Sequence, residues 1–385
     1  MNLRKLSFYT TLAMAVCLAS QAGIAQTVDT LERHWPRYIS LHQYLQPFLT
    51  ADTIHDETIM PIKRGDAAPN GSLLFPVRRV LSVRDAYLGT VYEEGVDWNW
   101  EGQRIVLTDS SRIPYFEGGE LVYGAVKEGM SQPGSIPGTY VLFSEGELLR
   151  ARQLAVTYVP EGRGASASKR LPAPSPNLSR TASKLGRSES LQVVFWGNSI
   201  EVGANSSGFQ HVPPFMPNWA ELFVWQLRKR FGAPVSYRNL AVGGQTAAWG
   251  VENVSQVLNE NPDLVVIGFG MNDGTFGVPV DVFAGQIQAM IAAVRAQRPA
   301  CEFIVITPML ANPASIQHNL QAAYRPALLE LEGPGVAIAD LTYWHAWLLT
   351  HKAYEDMTGN NINHPNDYLA RWYAQVLISL LVDSN

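Results

Sequence analysis

Leu191-Gln192-Val193-Val194-Phe195-Trp196-Gly197-Asn198-Ser199 is the stretch that decides the fold of the second half of this chain. Its apolar residues follow one another almost without interruption, which is typical of a strand buried on both faces of a parallel sheet. Gly197 permits a sharp turn, so Ser199 follows at the carboxyl end of the strand, where open α/β sheets place their ligands. Serine after glycine is common in ordinary turns. Ser199 is therefore a candidate nucleophile only if other polar residues gather at the same edge.

Downstream of this stretch, short apolar runs alternate with segments of helical periodicity. The runs predict four further strands, over 235–242, 264–269, 303–307 and 336–341. The helical segments place apolar residues three and four positions apart, and the last of them covers 369–380. Strands that alternate with helices in this way predict a doubly wound, flavodoxin-like parallel sheet over residues 191–385.

The N-terminus has the features of a secretory signal peptide over residues 1–25. Arg4-Lys5 precedes an apolar run at 12–18, and small residues follow near the expected cleavage site. Cys17 leaves lipidation as a minor alternative. Cleavage leaves Cys301 as the one remaining cysteine, so no intramolecular disulfide is expected. We expect a secreted or periplasmic bacterial protein, since no later stretch has the roughly 18 apolar residues of a membrane span.

Residues 26–159 are predicted to form a smaller all-β sandwich domain. From about Ser72 onward, short runs rich in Val, Leu and Tyr are separated by turns that contain Gly and Asp. Residues 26–56 have a mixed pattern that favours no element. Gly, Ser, Pro and basic residues are frequent over 160–190, which is the composition of an exposed linker to the α/β domain.

Composition and charge limit the possible partners. The chain has 46% hydrophobic and 16% charged residues and a net charge of -5, which describes a globular protein without a basic surface for nucleic acid. Histidine, cysteine and acidic residues show no metal-ligand spacing. We therefore expect no metal or other cofactor, and no nucleic-acid partner.

Four polar blocks occur at one edge of the predicted sheet. Three follow the first three strands and the fourth precedes the last helix; they are Gly197-Asn198-Ser199, Gly243-Gly244-Gln245-Thr246, Gly270-Met271-Asn272-Asp273 and Asn363-His364-Pro365. In order, spacing and neighbours these blocks resemble the SGNH hydrolases of the GDSL superfamily, which are named for Ser, Gly, Asn and His. The resemblance extends from Leu191 to the C-terminus, roughly half of the chain.

This resemblance implies an SGNH hydrolase fold and a serine esterase. Ser199 would attack the ester carbonyl, and His364 would take the serine proton and return it to the leaving alcohol. The backbone N–H groups of Ser199 and Gly244 and the side-chain amide of Asn272 would bind the oxyanion.

The sequence departs from the family pattern at two positions. Asn198 stands where the family commonly has Asp, and the family's Asp-x-x-His reads Asn361-Ile362-Asn363-His364. Asparagine carries no charge to stabilise an imidazolium. Asn361 or a backbone carbonyl could orient His364 in a dyad, which we favour. The aspartates that could instead reach it from elsewhere are Asp356, Asp367 and Asp340.

A secreted domain of this type behind a β-sandwich resembles the second carbohydrate-esterase family, which removes acetyl groups from polysaccharides. The expected substrate is accordingly an acylated poly- or oligosaccharide. Trp196, Trp219 and Trp249 lie near the predicted site and would suit sugar rings, although core packing is the commoner role of such residues. The alternatives are a glycan-binding protein with a degenerate esterase site and a hydrolase of lipids or thioesters.

Overall fold

The structure is a computed structural model that describes residues 34–161 and 169–383. The signal peptide expected over 1–25 lies outside the described residues, and so do positions 162–168 of the expected linker. Within the described ranges, no helix combines the length and the apolar character needed to cross a membrane.

Residues 34–161, called here the strand-rich part, form short strands and a few single-turn helices. The helices are α1 (Leu41–Tyr44), α2 (Gly118–Leu121) and the 3-10 turns Trp35–Arg37 and Arg150–Arg152. The strands are β1 (Ile54–Ile59), β2 (Ile62–Lys63), β3 (Asn70–Ser72), β4 (Val77–Asp85), β5 (Val91–Tyr92), β6 (Trp98–Glu101), β7 (Arg104–Leu107), β8 (Phe116–Glu117), β9 (Val122–Tyr123), β10 (Ser131–Pro133), β11 (Tyr140–Leu142) and β12 (Leu154–Pro160).

Three sheets result, with the strand orders β1-β12-β4-β5, β6-β7-β3-β2-β8 and β10-β11-β9. Their strand pairs are antiparallel except for the parallel contact between β2 and β8. The strand-rich character agrees with the sequence pattern, and the sandwich arrangement of these sheets stays a prediction.

Residues 169–383 form the α/β part. Its helices are α3 (Ser179–Gly186), α4 (Ser199–Val202), α5 (Trp219–Phe231), α6 (Ala247–Glu252), α7 (Val254–Asn259), α8 (Met271–Thr275), α9 (Val280–Gln297), α10 (Gln321–Leu329), α11 (Leu341–Leu348) and α12 (Asp367–Ser379), with 3-10 turns at Pro176–Leu178 and Tyr354–Asp356. Its strands are β13 (Leu191–Gly197), β14 (Val235–Asn239), β15 (Leu264–Gly268), β16 (Glu302–Ile306) and β17 (Val336–Ala339).

These five strands pair in the order β14-β13-β15-β16-β17, and every pair is parallel. This is the flavodoxin-like strand order, in which the second strand of the chain lies outside the first. The prediction of a parallel α/β sheet is confirmed, and all five predicted strands are present within a few residues of their expected bounds.

Both faces of the sheet are covered, which explains the continuous apolar run in β13. Val193 and Phe195 belong to the hydrophobic cluster that includes α5 and α12, whereas Val194 and Trp196 belong to the cluster on the opposite face with α9. Trp196 is completely buried, and so is nearly all of Trp219. These two tryptophans are therefore core residues that cannot stack on a sugar.

The strand-rich part packs directly on the α/β part. Phe48 stacks on Trp372 of α12 with ring centroids 5.0 Å apart. Arg371 Nε donates a 2.9 Å hydrogen bond to the carbonyl oxygen of Tyr44. One hydrophobic cluster contains residues from both parts. The strand-rich part is thereby fixed against α12, the helix that follows the fourth polar block.

The second half of the expected linker is packed rather than exposed. The side chains of Leu178 and Leu185, at and within α3, are completely buried. Lys184 Nζ lies 2.7 Å from a carboxylate oxygen of Asp263, at the start of β15. The segment around α3 is thus part of the α/β fold.

Candidate active site

Ser199 is the first residue of α4, directly after β13. The Asn198 side chain caps this helix by accepting a 3.1 Å hydrogen bond from the backbone N–H of Ile200. The Glu201 carboxylate in turn accepts a 2.9 Å hydrogen bond from the backbone N–H of Asn198. This reciprocal capping fixes the turn and leaves Ser199 half-buried at the carboxyl edge of the sheet.

The buried carboxyl group of Glu201 belongs to the same turn. Gly197 and Gly268, at the ends of β13 and β15, make room for it, because a Cβ atom on either residue would overlap the Glu201 side chain. Burial raises the pKa of Glu201 to about 8, against the opposing effect of the hydrogen bond from Asn198. At neutral pH this group is therefore mostly protonated, and we assign it a structural role.

The loop before α12 brings His364 to Ser199. The Asn360 side-chain oxygen accepts hydrogen bonds of 3.0, 3.0 and 3.1 Å from the backbone N–H groups of Ile362, Asn363 and His364. His364 is buried, and its Nε2 lies 2.8 Å from the Ser199 hydroxyl. The nucleophile and base predicted from the sequence are thus within hydrogen-bond distance, 165 positions apart in the chain.

Two side chains contact the other nitrogen of the His364 ring. Nδ1 lies 2.6 Å from the Asn205 side-chain oxygen and 3.3 Å from a carboxylate oxygen of Glu145. An amide oxygen can only accept, so Nδ1 carries the proton and Nε2 is free to accept the proton of Ser199. Glu145 lies in the turn after β11, so a carboxylate of the strand-rich part reaches the ring of His364.

Residues of both parts hold Asn205 in place. Arg150 donates a 3.1 Å hydrogen bond to the Asn205 carbonyl oxygen and pairs with Asp367 at 3.1 Å. The Asn205 side-chain nitrogen donates a 3.1 Å hydrogen bond to the carbonyl oxygen of Glu145. Gly359 packs so closely that a Cβ atom there would overlap the Cβ of Asn205. The position of the amide oxygen at the His364 ring is therefore fixed from several sides.

The residues expected to orient His364 have other partners. Asn361 Nδ2 donates to the Leu142 carbonyl, Asp356 accepts from the Met60 N–H, Asp367 accepts from the Ser207 N–H, and Asp340 pairs with Arg325. Asn361 has a φ of 66°, and its amide joins the loop to β11 instead of facing the ring. This corrects the sequence-based expectation: Asn205 and Glu145 occupy the place at Nδ1.

The second and third polar blocks lie together and are joined by Asp273. The two carboxylate oxygens of this buried residue accept hydrogen bonds of 2.8 Å from the Ala247 N–H and 3.0 Å from the Gly270 N–H. Burial raises the pKa of Asp273, and these backbone hydrogen bonds oppose that effect. Asp273 therefore shapes the turns that carry Gly244 and Asn272.

Hydrogen-bond donors remain available in these turns. Gly244 is exposed with a φ of 79°, a left-handed conformation that favours glycine. Within the described ranges, no group accepts a hydrogen bond from the backbone N–H of Gly244 or Ser199. One amide hydrogen of Asn272 goes to the Gln245 carbonyl at 2.8 Å, and no acceptor among the described residues takes the other. Residues 34–161 and 169–383 contain no group of three or more His, Cys, Asp or Glu placed to hold a metal ion.

Sequence reasoning missed Asn205 and Glu145. The sequence contains one indirect indication of them. Asn361 stands where the family pattern has an acidic residue, which implies that any negative charge at His364 comes from another part of the chain. Glu145 appears in the sequence only as half of a Glu-Gly turn, and nothing in its neighbourhood marks it as a partner of His364.

Comparison with known proteins agrees with the geometry of the α/β part. Residues 195–371 match the GDSL-like Lipase/Acylhydrolase family. This match confirms the resemblance that the four polar blocks indicated.

Individual relatives match shorter segments or match weakly. An arylesterase of Vibrio mimicus is 32% identical over 91 residues, which are 23% of this chain and 44% of the relative, so the chain spans less than half of that relative's length. A two-domain esterase active on acetylated mannans is 20% identical, with 52% of each chain covered and a TM-score of 0.41. An acetylxylan esterase of Geobacillus stearothermophilus is 14% identical, with 50% of this chain and 95% of that chain covered and a TM-score of 0.42.

Proposed function

We propose that this protein is a secreted serine esterase that removes short acyl groups, O-acetyl groups in particular, from a carbohydrate. The observation that carries the proposal is the 2.8 Å contact between the Ser199 hydroxyl and His364 Nε2. The free amide hydrogen of Asn272 and the free N–H of Gly244 in the neighbouring turns support it, because an oxyanion needs such donors.

In the proposed reaction, Ser199 Oγ attacks the ester carbonyl carbon while its proton passes to His364 Nε2. The carbonyl oxygen becomes an oxyanion that accepts hydrogen bonds from the N–H groups of Ser199 and Gly244 and from the Asn272 amide. His364 then gives the proton to the oxygen of the leaving alcohol as the carbon–oxygen bond breaks. Water, deprotonated by His364, then attacks the acyl carbon. The bond from that carbon to Ser199 Oγ breaks, His364 returns the proton to Oγ, and the acid is released.

The carbohydrate assignment rests on the layout of the chain and on access to the site. A GDSL-type segment behind a strand-rich part resembles the second carbohydrate-esterase family. Gly243 and Gly244 are exposed, Ser199 is half-buried, and a Cβ atom on Gly243 would lie 3.9 Å from the Ser199 Cβ. This exposure beside the nucleophile favours a substrate in which the acyl group is attached to a bulky polymer. The signal peptide expected over 1–25 fits a substrate outside the cytoplasm.

A small aryl ester is the second candidate substrate. The segment similar to the Vibrio mimicus arylesterase favours it. So do the large aromatic side chains of Phe209 and Phe276, which are 51% and 62% exposed and follow the first and third polar blocks. A lipid or thioester hydrolase would prefer longer acyl chains, and a glycan-binding protein with a degenerate site would hydrolyse none.

The test is release of p-nitrophenol from acetyl, butyryl and octanoyl esters by the purified protein and by Ser199→Ala, followed by acetate release from acetylated xylan and mannan. Acetyl-preferring activity that Ser199→Ala abolishes, with acetate release from a polysaccharide, is the expected result. Preference for the octanoyl ester would favour a lipid hydrolase, and activity on aryl esters alone would favour the second candidate. Absence of hydrolysis above Ser199→Ala on every ester would overturn the esterase proposal.

A further inference from the structure

Glu145 is held at the His364 ring by contacts between two distant segments. Its Oε1 accepts a 3.2 Å hydrogen bond from the Asn360 side chain, and its Oε2 lies 3.3 Å from His364 Nδ1. Beside it, the Leu142 carbonyl accepts a 3.0 Å hydrogen bond from the Asn361 amide. Residues 142–145 therefore run along residues 360–361, and the carboxylate position is defined by the loop that carries the catalytic base.

Asn205 and Glu145 can have different effects on the His364 ring: one orients it, and the other places a negative charge beside it. The Asn205 oxygen is the nearer acceptor, at 2.6 Å, and it fixes the tautomer and orientation of His364. It is neutral, so it does little for the positive charge that the ring acquires when Ser199 attacks. The Glu145 carboxylate is the negative charge at Nδ1, and the position that is acidic in the family pattern is occupied here by Asn361.

We propose that Glu145 is the acidic positioning residue of this site, so that the strand-rich part supplies the charge that stabilises the protonated His364. The inference rests on the proposed esterase function and deepens it. In the step concerned, the Ser199 proton moves to Nε2, Nδ1 keeps its own proton, and Glu145 stays ionised throughout. The strand-rich part is then a component of the active site, in addition to any role in holding the polymer.

The surroundings of Glu145 favour its ionised form. Burial acts to raise the pKa of Glu145, but hydrogen bonding to His364, attraction to the His364 ring when it is positively charged, and hydrogen bonding to Asn360 and Asn205 outweigh it, so the pKa is lowered. Two charged groups near this turn have partners of their own: Arg150 pairs with Asp367, and Glu147 accepts a hydrogen bond from Tyr87.

The central experiment compares Glu145→Gln with the unaltered protein on p-nitrophenyl acetate. Because the Glu145 side chain is 43% exposed, its charge is partly screened. We therefore expect kcat to fall by about 10- to 100-fold, less than for a fully buried triad aspartate, with KM within about twofold. Without the carboxylate the imidazolium is less stable, so the acidic limb of the pH–rate profile should move to lower pH.

Three further variants separate charge from packing. Glu145→Asp keeps the charge and should retain the position of the acidic limb. Glu145→Ala leaves space at an accessible position, so added formate should raise its kcat in a saturable manner, whereas formate should not affect Glu145→Gln. Glu147→Gln, on the same turn and away from the ring, is the matched control and should leave kcat and the pH profile unchanged.

Two results would overturn the inference. One is a Glu145→Gln protein with the kcat and pH profile of the unaltered protein. The other is a loss of kcat with an unmoved acidic limb and no formate rescue of Glu145→Ala, which describes a structural role. Failure of the proposed function looks different, because the unaltered protein would then hydrolyse no ester above the level of Ser199→Ala.

Discussion

The buried contact between Lys352 and Glu57 joins the α/β part to the strand-rich part, and its removal should be costly. Lys352 Nζ lies 2.6 Å from Glu57, 3.8 Å from Asp356 and 2.9 Å from the Ser72 carbonyl oxygen, and both side chains of the Lys352–Glu57 pair have zero exposure. Lys352→Met keeps most of the volume but leaves buried carboxylates without their cation. Breaking a buried pair in this way costs about 3–5 kcal/mol of unfolding free energy.

The loss should depend on pH in a defined direction. Burial raises the pKa of Asp356 to about 6, and Lys352 opposes that effect. Without Lys352 the pKa of Asp356 in the folded protein rises further. The stability contributed by the protonated form of Asp356 is then lost as the pH increases through this higher pKa. Lys352→Met should therefore be destabilised more at pH values near 8 than near 5, since protonation at the lower pH removes the unpaired charge.

Urea unfolding followed by tryptophan fluorescence measures both effects. Lys184→Met is the matched control, because the Lys184–Asp263 pair has a similar distance of 2.7 Å but side chains that are 34% and 28% exposed. We expect the control to lose less than about 1 kcal/mol. A loss for Lys352→Met no larger than for Lys184→Met, or a loss that does not change with pH, would refute this reasoning.

Three further predictions concern the α/β part. Asn272→Ala should lower kcat on p-nitrophenyl acetate by about 100- to 1,000-fold through loss of an oxyanion donor, and a loss below about tenfold in steady-state assays would contradict that role. Gly359→Ala should displace Asn205 from His364 and lower kcat by at least about tenfold, whereas the control Gly285→Ala, which meets open space, should retain full activity. The pKa of Glu201 is raised to about 8, so the unfolding free energy of the unaltered protein should decline relative to that of Glu201→Gln between pH 5 and 8, by up to about 1.4 kcal/mol per pH unit. Denaturant titrations in which the two unfolding free energies differ by the same amount at every pH would exclude this.

The fold of the α/β part could be predicted because its signals are local. The apolar run of β13 and the helical periods between strands reflect burial of each element on a sheet covered on both faces, and that pattern is readable over a few residues. The predicted strand at 235–242 is shorter in the structure, where β14 ends at Asn239, since apolar residues in the following turn resemble strand residues. Helix α11 was not predicted, because the apolar run predicted as a strand over 336–341 includes both β17 and the first residue of this helix.

Some residues of the candidate site could also be predicted from the sequence, and others could not. From the sequence by itself, the resemblance to SGNH hydrolases predicted the nucleophile, the base and the oxyanion donors. The strand pattern predicted that these residues lie together, because the carboxyl ends of parallel strands meet at one edge. Only the tertiary structure decided what faces Nδ1 of His364. Asn205 and Glu145 reach the ring from 159 and more than 200 positions away, through loops whose course depends on packing between the two parts. No local pattern records such a contact, since its free energy comes from groups that become neighbours only when the whole chain is folded.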